Sequence, residues 1–198
     1  MATDRSEPVL PAWKRATDVI GGAIALVIAT IPMLLVAGAI LLDSGRPILI
    51  KQRRIGIDGS EFGMWKFRTL PVGTPQMAKA DLLRGPVPNI TPLGRVLRRY
   101  SLDELPQLFN VLAGTMSLIG PRPALFTQDD LVALRLAAGA LRVRPGLTGL
   151  AQVSGRENLT LEEKTALDAD YVRRLSPGLD LWIAVRTGGA VLRARGSY

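Results

Sequence analysis

The longest feature of the hydropathy pattern is an uncharged apolar run over residues 19–42, bracketed by Asp18 and Asp43. A straight helix of that length would reach about 36 Å, which exceeds the hydrocarbon thickness of a bilayer, about 30 Å. Pro32 lies inside the run, and an interior proline removes a backbone donor and kinks or breaks a helix. The pattern therefore predicts a membrane-inserted helix–break–helix with its break at Pro32.

Basic residues flank this run on both sides. Arg5, Lys14 and Arg15 precede it. Those that follow it are Arg46, Lys51, Arg53, Arg54, Lys66 and Arg68. Because loops rich in Lys and Arg stay on the cytoplasmic side, a re-entrant hairpin that enters and leaves by one face satisfies both flanks. A kinked span and a buried core helix are the alternatives.

The remaining pattern predicts a mainly helical domain with a small β-hairpin. Strands are expected at 47–50 and 61–69, with the turn signal Asp58-Gly59 between them. Helices are expected over 101–112, 128–141, 160–175 and 179–195, the first and third opening at the capping boxes 101–104 and 160–163. The stretch 71–94 is rich in Pro and Gly and is predicted to be loop, with a short helix at 77–83. We expect an α+β fold divided into a membrane-inserted part, 1–45, and a catalytic domain, 46–198.

The last predicted helix mixes apolar side chains with Arg186, Arg193 and Arg195. This combination is typical of an amphipathic helix that lies on a membrane surface. A helix packed against its own domain explains the same pattern.

Composition then narrows the chemistry. The chain of 198 residues has no Cys and no His, which excludes disulfides, thiolate nucleophiles, Ser-His-Asp triads and zinc sites built on Cys or His. Its net charge of +8 favours phosphate-bearing partners such as nucleotides, nucleic acid or an anionic membrane face. Any bound metal should be a hard cation with oxygen ligands, such as magnesium or calcium.

Two adjacent carboxylates, Asp103 and Glu104, are the first candidates for chemistry, and Arg98 and Arg99 lie close by in the sequence. Such a pair can supply an oxygen nucleophile or ligands for magnesium. Acids in the first turn of a helix also favour its dipole and cap it. The pattern alone leaves both explanations open.

Three basic motifs are candidates for binding phosphate. The stiff turn 121–123, Pro-Arg-Pro, presents Arg122 as a fixed guanidinium. Lys66 and Arg68 share one face of the second predicted strand. Residues 142–149 combine Arg144 with turn formers. A solvated turn and the wet face of a sheet are the plain alternatives for these motifs.

Longer strings carry a family resemblance. Ser-Leu-Asp-Glu-Leu-Pro-Gln-Leu at 101–108 and Met-Ser-Leu-Ile-Gly-Pro-Arg-Pro at 116–123 resemble the bacterial sugar transferases, the monotopic phosphoglycosyl transferases. Further matches are Lys-Gln-Arg-Arg-Ile-Gly at 51–56, Lys-Phe-Arg-Thr at 66–69, Arg-Pro-Gly-Leu-Thr-Gly at 144–149 and Gln-Val-Ser-Gly-Arg at 152–156. The resemblance covers about residues 12–190, and the length is similar to that of the small subclass.

The resemblance implies transfer of a phospho-sugar from a UDP-sugar to undecaprenyl phosphate, with release of UMP, at the start of cell-surface glycan assembly. It implies that Asp103 is the nucleophile, through an aspartyl phospho-sugar, and that Asp103 and Glu104 hold Mg²⁺. It also implies a re-entrant segment in the bacterial inner membrane, with both termini cytoplasmic. The alternative is a membrane-anchored protein that binds anionic lipid or nucleic acid without catalysis.

Further roles also follow from the resemblance. Arg98 is expected near the transferred phosphate and Arg122 at the nucleotide. The remaining candidates for binding phosphate or nucleotide are Lys66, Arg68, Arg144, Gln152 and Arg156. Anionic membrane lipids and a second copy of the chain are further expected partners, whereas nucleic acid is not, since the basic residues lack the interleaved aromatics of a single-strand binder.

The chain departs from the family pattern at three places. The hairpin break reads Ile31-Pro32 where the family commonly has Ser-Pro, and Thr115 stands where an acid is common. Residues 87–89 read Val-Pro-Asn in place of Asp-Pro-Arg.

Overall fold

A computed structural model describes residues 10–74, 90–155 and 159–192, with the backbone alone at 190–192. The helices and strands of these parts are, in chain order, α1 (Ala12–Ser44), β1 (Leu49–Ile55), β2 (Glu61–Phe67), α2 (Pro92–Arg99), α3 (Gln107–Ala113), β3 (Ser117–Ile119), α4 (Asp129–Ala137), β4 (Gly146–Thr148), α5 (Leu150–Ser154), α6 (Leu161–Arg173) and α7 (Pro177–Leu192). The predicted mixture of helices with small sheets is confirmed. The short helix predicted at 77–83 falls outside the described residues.

The apolar run lies within α1, a helix of 33 residues that contains Pro32. The helical backbone continues on both sides of Pro32, so the predicted break does not divide α1 into two elements. Two residues before the proline, the Thr30 hydroxyl donates to the Leu26 carbonyl at 2.8 Å. Within the described chain, α1 is the helix long and apolar enough to cross a membrane.

The N-terminal half of α1 packs against α3. A Cβ added to Gly22 would lie 3.2 Å from side-chain atoms of Val111 and Leu112, so the glycine allows the two helices to approach closely. Arg15 donates to the carbonyls of Val111 and Leu112 at 2.7 and 2.8 Å. The guanidinium thereby caps the C-terminal end of α3.

The C-terminal half of α1 packs elsewhere on the same domain. Val36 and Ile40 form a buried cluster with Phe67 of β2 and Leu97 of α2. Both halves of the helix therefore contact the rest of the chain, while its outer face is apolar and more than half exposed. That face consists of Ile20, Ile24, Val27, Ile28, Ile31, Leu34 and Leu35.

The predicted hairpin is present as antiparallel β1 and β2, paired from Leu49 with Phe67 to Ile55 with Glu61. The predicted turn signal is confirmed, because Asp58 and Gly59 both adopt positive φ, 52° and 80°. β1 is longer than the predicted 47–50. The polar residues 51–54 were not predicted to be strand, yet their burial alternates along β1 with a period of two.

A second, parallel pair joins β3 to β4, with Ser117 opposite Gly146 and Ile119 opposite Thr148. The sequence pattern did not predict this pair, because each strand has only three residues. A Cβ on Gly146 would lie 2.1 Å from the Gly120 nitrogen, which explains glycine at this close approach. The contact holds the loops after β3 and before β4 side by side.

The two predicted capping boxes have different outcomes. The box at 160–163 is confirmed, because the Thr160 hydroxyl accepts from the Glu163 amide and the Glu163 carboxylate accepts from the Thr160 amide. The box at 101–104 is wrong. Ser101 adopts a left-handed conformation, a 3₁₀ turn follows over Leu102–Glu104, and α3 begins only after Pro106.

Helix α7 packs against its own domain, whereas its placement on a membrane surface stays a prediction. Ile183 is fully buried, and Leu179 packs against the same core cluster as Ile119 of β3. The opposite face leaves Leu181 and Val185 exposed. The predicted extension to residue 195 lies outside the described residues.

Candidate active site

The two carboxylates lie on the 3₁₀ turn that connects α2 to α3. Ser101, with φ of 55° and ψ of 23°, turns the chain sharply just before Asp103 and Glu104. On either side of the pair, Leu102 and Leu105 pack into the cluster against the C-terminal half of α1. Packing of these partly buried leucines holds the turn from one side. A non-glycine residue held at positive φ stores backbone strain, a feature that clusters at functional sites.

Glu104 is held between two cations. The Lys66 ammonium of β2 lies 2.8 Å from Oε1. Arg122, from the turn after β3, donates through Nη1 to Oε2 at 3.2 Å and through Nη2 to Oε1. Burial opposes ionisation of Glu104, but the charges of Arg122 and Lys66 outweigh it and hold the pKa of that carboxyl well below its usual range. Both cations therefore favour the ionised form of Glu104, and the carboxylate holds them beside Asp103.

Asp103 has a different environment. Its side chain is buried, and its nearest cation is the Lys66 ammonium, 3.7 Å from Oδ2. No hydrogen bond from a described residue occupies the carboxylate. Burial raises the pKa of Asp103, Lys66 opposes this rise, and the neighbouring charge of Glu104 adds to it. Burial shields the Asp103 carboxylate from water, and no described residue donates a hydrogen bond to it. Its oxygens are therefore available to an incoming group.

Arg98 approaches the pair from the last turn of α2. Its Nε donates to the Thr69 hydroxyl at 2.9 Å, and its charge acts on Asp103. Helix α2 begins within the stretch 71–94 that was predicted to be loop, although its start has local signals. Thr91 caps it by accepting from the Gly94 amide at 2.9 Å, and proline occupies the first helical position.

Arg54 of β1 is a site residue that the sequence analysis did not select. It donates to the Pro123 carbonyl at 3.0 Å and to the Gln52 side chain at 2.8 Å. Burial and then the like charge of Arg122 lower the pKa of Arg54 to about 10, while Glu104 opposes this change. The sequence Lys-Gln-Arg-Arg at 51–54 is polar throughout, so it carries no alternation that would have identified Arg54.

The site therefore gathers cations from separate elements around one carboxylate pair. Lys66 comes from β2, Arg54 from β1, Arg98 from α2 and Arg122 from the turn after β3. Four cations outnumber two carboxylates, so an anionic group is attracted to this place. Planar guanidinium groups are suited to binding phosphate in particular.

Comparison with known proteins agrees with this chemistry. The family described as bacterial sugar transferase matches residues 10–194. The chain belongs to this family. The prediction of the family is confirmed, and with it the prediction that the chain is a transferase of phosphorus-containing groups.

Individual relatives are similar over nearly the whole chain. An exopolysaccharide production protein ExoY of Sinorhizobium fredii is 37% identical over 211 residues, covering 99% of this chain and 92% of the relative. A UDP-glucose:undecaprenyl-phosphate glucose-1-phosphate transferase of Caulobacter vibrioides is 40% identical over 192 residues, 93% of this chain and 72% of the relative. An undecaprenyl-phosphate galactose phosphotransferase of Salmonella typhimurium is 34% identical, but the match spans only 41% of that longer protein.

Arg68 of this sugar transferase does not join Lys66 at the carboxylate pair. Its guanidinium is buried and donates to the carbonyls of Ser44 and Gly45 at 2.7 and 2.8 Å, and to the Ser44 hydroxyl at 2.9 Å. β2 ends at Phe67, so the strand alternation that paired the two side chains does not extend to Arg68. The structure places Arg68 at the C-terminal end of α1.

Arg144 and Gln152 lie beside the loop after β3. Arg144 directly precedes Pro145 and β4, and it forms no hydrogen bond or ion pair with another described residue. The amide oxygen and nitrogen of Gln152 are buried without a partner in the described chain. Within the described chain, neither residue forms a hydrogen bond or ion pair with Asp103, so their substrate roles stay predictions. Arg156 lies outside the described residues.

One departure from the family pattern has a structural explanation. Thr115, where the family commonly has an acid, accepts a hydrogen bond from the Asn110 side chain at 3.0 Å. Asn110 also bonds the backbone of β2, at the Trp65 amide and the Gly63 carbonyl. Thr115 thus belongs to the contact between α3 and the hairpin. Residues 87–89 are outside the described parts.

Proposed function

We propose that this sugar transferase moves a phospho-sugar from a UDP-sugar to undecaprenyl phosphate. The observation that carries the proposal is the buried Asp103 carboxylate, free of hydrogen bonds from the described residues and next to the clamped Glu104. A nucleophile needs an available oxygen, and the neighbouring cations attract a diphosphate. The names of the Caulobacter and Salmonella relatives support the same acceptor lipid.

The proposed reaction proceeds in two displacements. An Asp103 oxygen attacks the β-phosphorus of the donor, and the bond from that phosphorus to the bridging oxygen breaks, so that UMP leaves with the electron pair. A phosphate oxygen of undecaprenyl phosphate then attacks the same phosphorus, and the Asp103 carboxylate leaves. Lys66, Arg98 and Arg122 stabilise the charge that develops on the phosphoryl oxygens.

We also propose that the site uses Mg²⁺. The described residues contain no cluster of three potential ligands. Asp103 and Glu104 alone nevertheless fit this ion, because Mg²⁺ is commonly bound by one or two carboxylates together with substrate phosphates and water. When bound, the ion would neutralise charge on the diphosphate.

Contacts of α1 support the proposed re-entrant topology. Lys14 contacts Asp180 of α7 at 2.6 Å, whereas Ile40 packs with Leu97 of α2. A straight span would separate Lys14 and Ile40 by roughly 40 Å, with a bilayer about 30 Å thick between them. Only one of them could then contact a domain outside the membrane. These contacts support a topology in which both ends of α1 lie on one side of the membrane, and we propose that this side is the cytoplasmic one, with the exposed apolar face in the lipid.

A screen of UDP-sugars with undecaprenyl phosphate and Mg²⁺, measuring UMP release, tests the proposed function. Wild-type protein should release UMP with at least one donor, and Asp103→Asn should release none. The matched control is Asp170→Asn on the surface of α6, which should behave as wild type. Turnover retained in Asp103→Asn would refute the nucleophile. Salt-sensitive binding of anionic vesicles without any turnover would favour the non-catalytic alternative.

A further inference from the structure

Every carbonyl of the turn that presents Arg122 accepts a hydrogen bond from a different part of the chain. Prolines at 121 and 123 restrict the backbone on both sides of Arg122 and donate nothing themselves. The donors to the carbonyls of Pro121, Arg122 and Pro123 are, in that order, the amide of Gly146 at 2.9 Å, Nη1 of Arg135 at 2.8 Å and Nη1 of Arg54 at 3.0 Å. The turn is thus fixed from several directions.

The donor to the Arg122 carbonyl is held by a buried ion pair. Nη2 of Arg135, on α4, lies 2.5 Å from Oδ2 of Asp168, on α6, and the two side chains are 5% and 1% exposed. A buried guanidinium requires a counter-charge, and Asp168 supplies it. The fork of the guanidinium then donates to Asp168 through one nitrogen and to the turn through another. Neither residue of the pair bonds Asp103 or Glu104.

We propose that Arg135 and Asp168 are positioning residues that keep the Arg122 guanidinium in place on Glu104. The contacts form one chain, from Asp168 through Arg135 to the Arg122 carbonyl, and from the Arg122 side chain to the carboxylate pair. The effect of this ion pair on activity rests on the proposed function above. A misplacement of about 1 Å in a catalytic group costs roughly 100-fold in rate, so loosening this turn should be visible in the kinetics.

The test uses the full chain with both charges of the pair removed together, as Arg135→Met/Asp168→Leu. Removing both partners leaves no unpaired buried charge, so the fold should be retained. The matched control, Arg173→Met/Asp170→Asn, removes an exposed ion pair, with side chains 66% and 29% exposed, from the same helix α6. A third variant, Arg135→Lys, keeps the charge but lacks the fork.

Two readouts separate positioning from plain structural support. We expect the Arg135→Met/Asp168→Leu protein to melt near the wild-type temperature, to exchange amide hydrogens faster in the peptide 118–126, and to lose about 100-fold in kcat/KM. Arg135→Lys should lose less kcat/KM than the Arg135→Met/Asp168→Leu protein. The control variant Arg173→Met/Asp170→Asn should match wild type in both readouts. Hydrogen exchange needs no substrate. It therefore tests whether Arg135 and Asp168 hold the turn 121–123 even if no UDP-sugar is turned over and the proposed function fails.

A double-mutant cycle with Arg122→Ala gives the decisive comparison. If the pair acts through Arg122, removing it from an Arg122→Ala protein should cost less than threefold, against about 100-fold in the wild-type background. Wild-type kcat/KM, or unchanged exchange in 118–126, in the stable Arg135→Met/Asp168→Leu protein would overturn the proposal. Equal losses in the two backgrounds would also overturn it, since the pair would then act independently of Arg122.

Discussion

At the scale of single residues, Asp103 and Glu104 are neighbours in sequence with opposite electrostatic settings. Arg122 and Lys66 lower the pKa of Glu104, whereas burial raises the pKa of Asp103. Two carboxylates whose pKa values are pushed apart commonly divide the work of a site between them. Here Glu104 fixes the surrounding cations, and Asp103 keeps an oxygen available for the proposed attack.

A residue-scale prediction concerns Arg68, which the sequence assigned to phosphate binding and the structure places at the end of α1. Arg68→Met should lower the free energy of unfolding by about 3 kcal/mol, because buried carbonyl groups lose a charged donor. The kcat of the folded protein should be unchanged. Urea unfolding and UMP release, measured in parallel, check both expectations.

The control for this prediction is Arg173→Met, which removes a cation paired on the surface with Asp170. It should change the unfolding free energy by less than about 0.5 kcal/mol. If Arg68→Met were as stable as the control but lost turnover, the phosphate-binding role expected from the sequence would be correct instead.

At the scale of elements, the sequence correctly predicted the turns and caps that are stabilised by residues close together in the chain. The Asp58-Gly59 turn and the Thr160 cap satisfy their own backbone groups, so their sequence patterns were sufficient. The capping box at Ser101 failed because tertiary contacts direct the Glu104 side chain to Lys66 and Arg122 rather than to the backbone. The pairing of β3 with β4 depends on contacts between distant segments, which local patterns do not contain.

The candidate site was predictable to a similar degree. Asp103, Glu104, Lys66, Arg98 and Arg122 were selected from the sequence, and the structure brings them together. Arg54 was missed because a run of four basic and polar residues conceals which of them face inward. Arg68 was misassigned because the strand ends one residue before it.

A prediction at the element scale concerns the topology of α1. The chain has no Cys, so single cysteines can be introduced at exposed Ala12 and Asp43, near the two ends of the helix, without a background signal. Ala12→Cys and Asp43→Cys should both resist a membrane-impermeant maleimide in spheroplasts with an intact inner membrane, and both should react in inverted vesicles. Both ends would then lie at the cytoplasmic face.

The control for this labelling is Ile28→Cys, at the exposed apolar middle of α1. It should be protected from the maleimide in both preparations and should react after solubilisation in detergent. Labelling of the two ends from opposite sides would exclude the re-entrant arrangement and favour a kinked span.

At the scale of the whole molecule, the fold places the charged groups of the site next to helix α1. The hairpin, α2, the 3₁₀ turn and the turn after β3 each supply charged groups of the site. The 3₁₀ turn also packs, through Leu102 and Leu105, against the half of α1 that carries Val36 and Ile40. The carboxylate pair is thereby tied to the element proposed to enter the membrane, where a lipid-linked phosphate would be found.

The most direct test of the central claim is the mass of the protein after brief incubation with a UDP-sugar that supports turnover, in the absence of undecaprenyl phosphate. Wild-type protein should gain the mass of one phospho-sugar, less water, on the peptide that contains Asp103, and adding the acceptor should remove it. The Asp103→Asn protein should gain nothing. An unmodified wild-type chain that nevertheless releases UMP when the acceptor is added, or an adduct on another residue, would contradict the account.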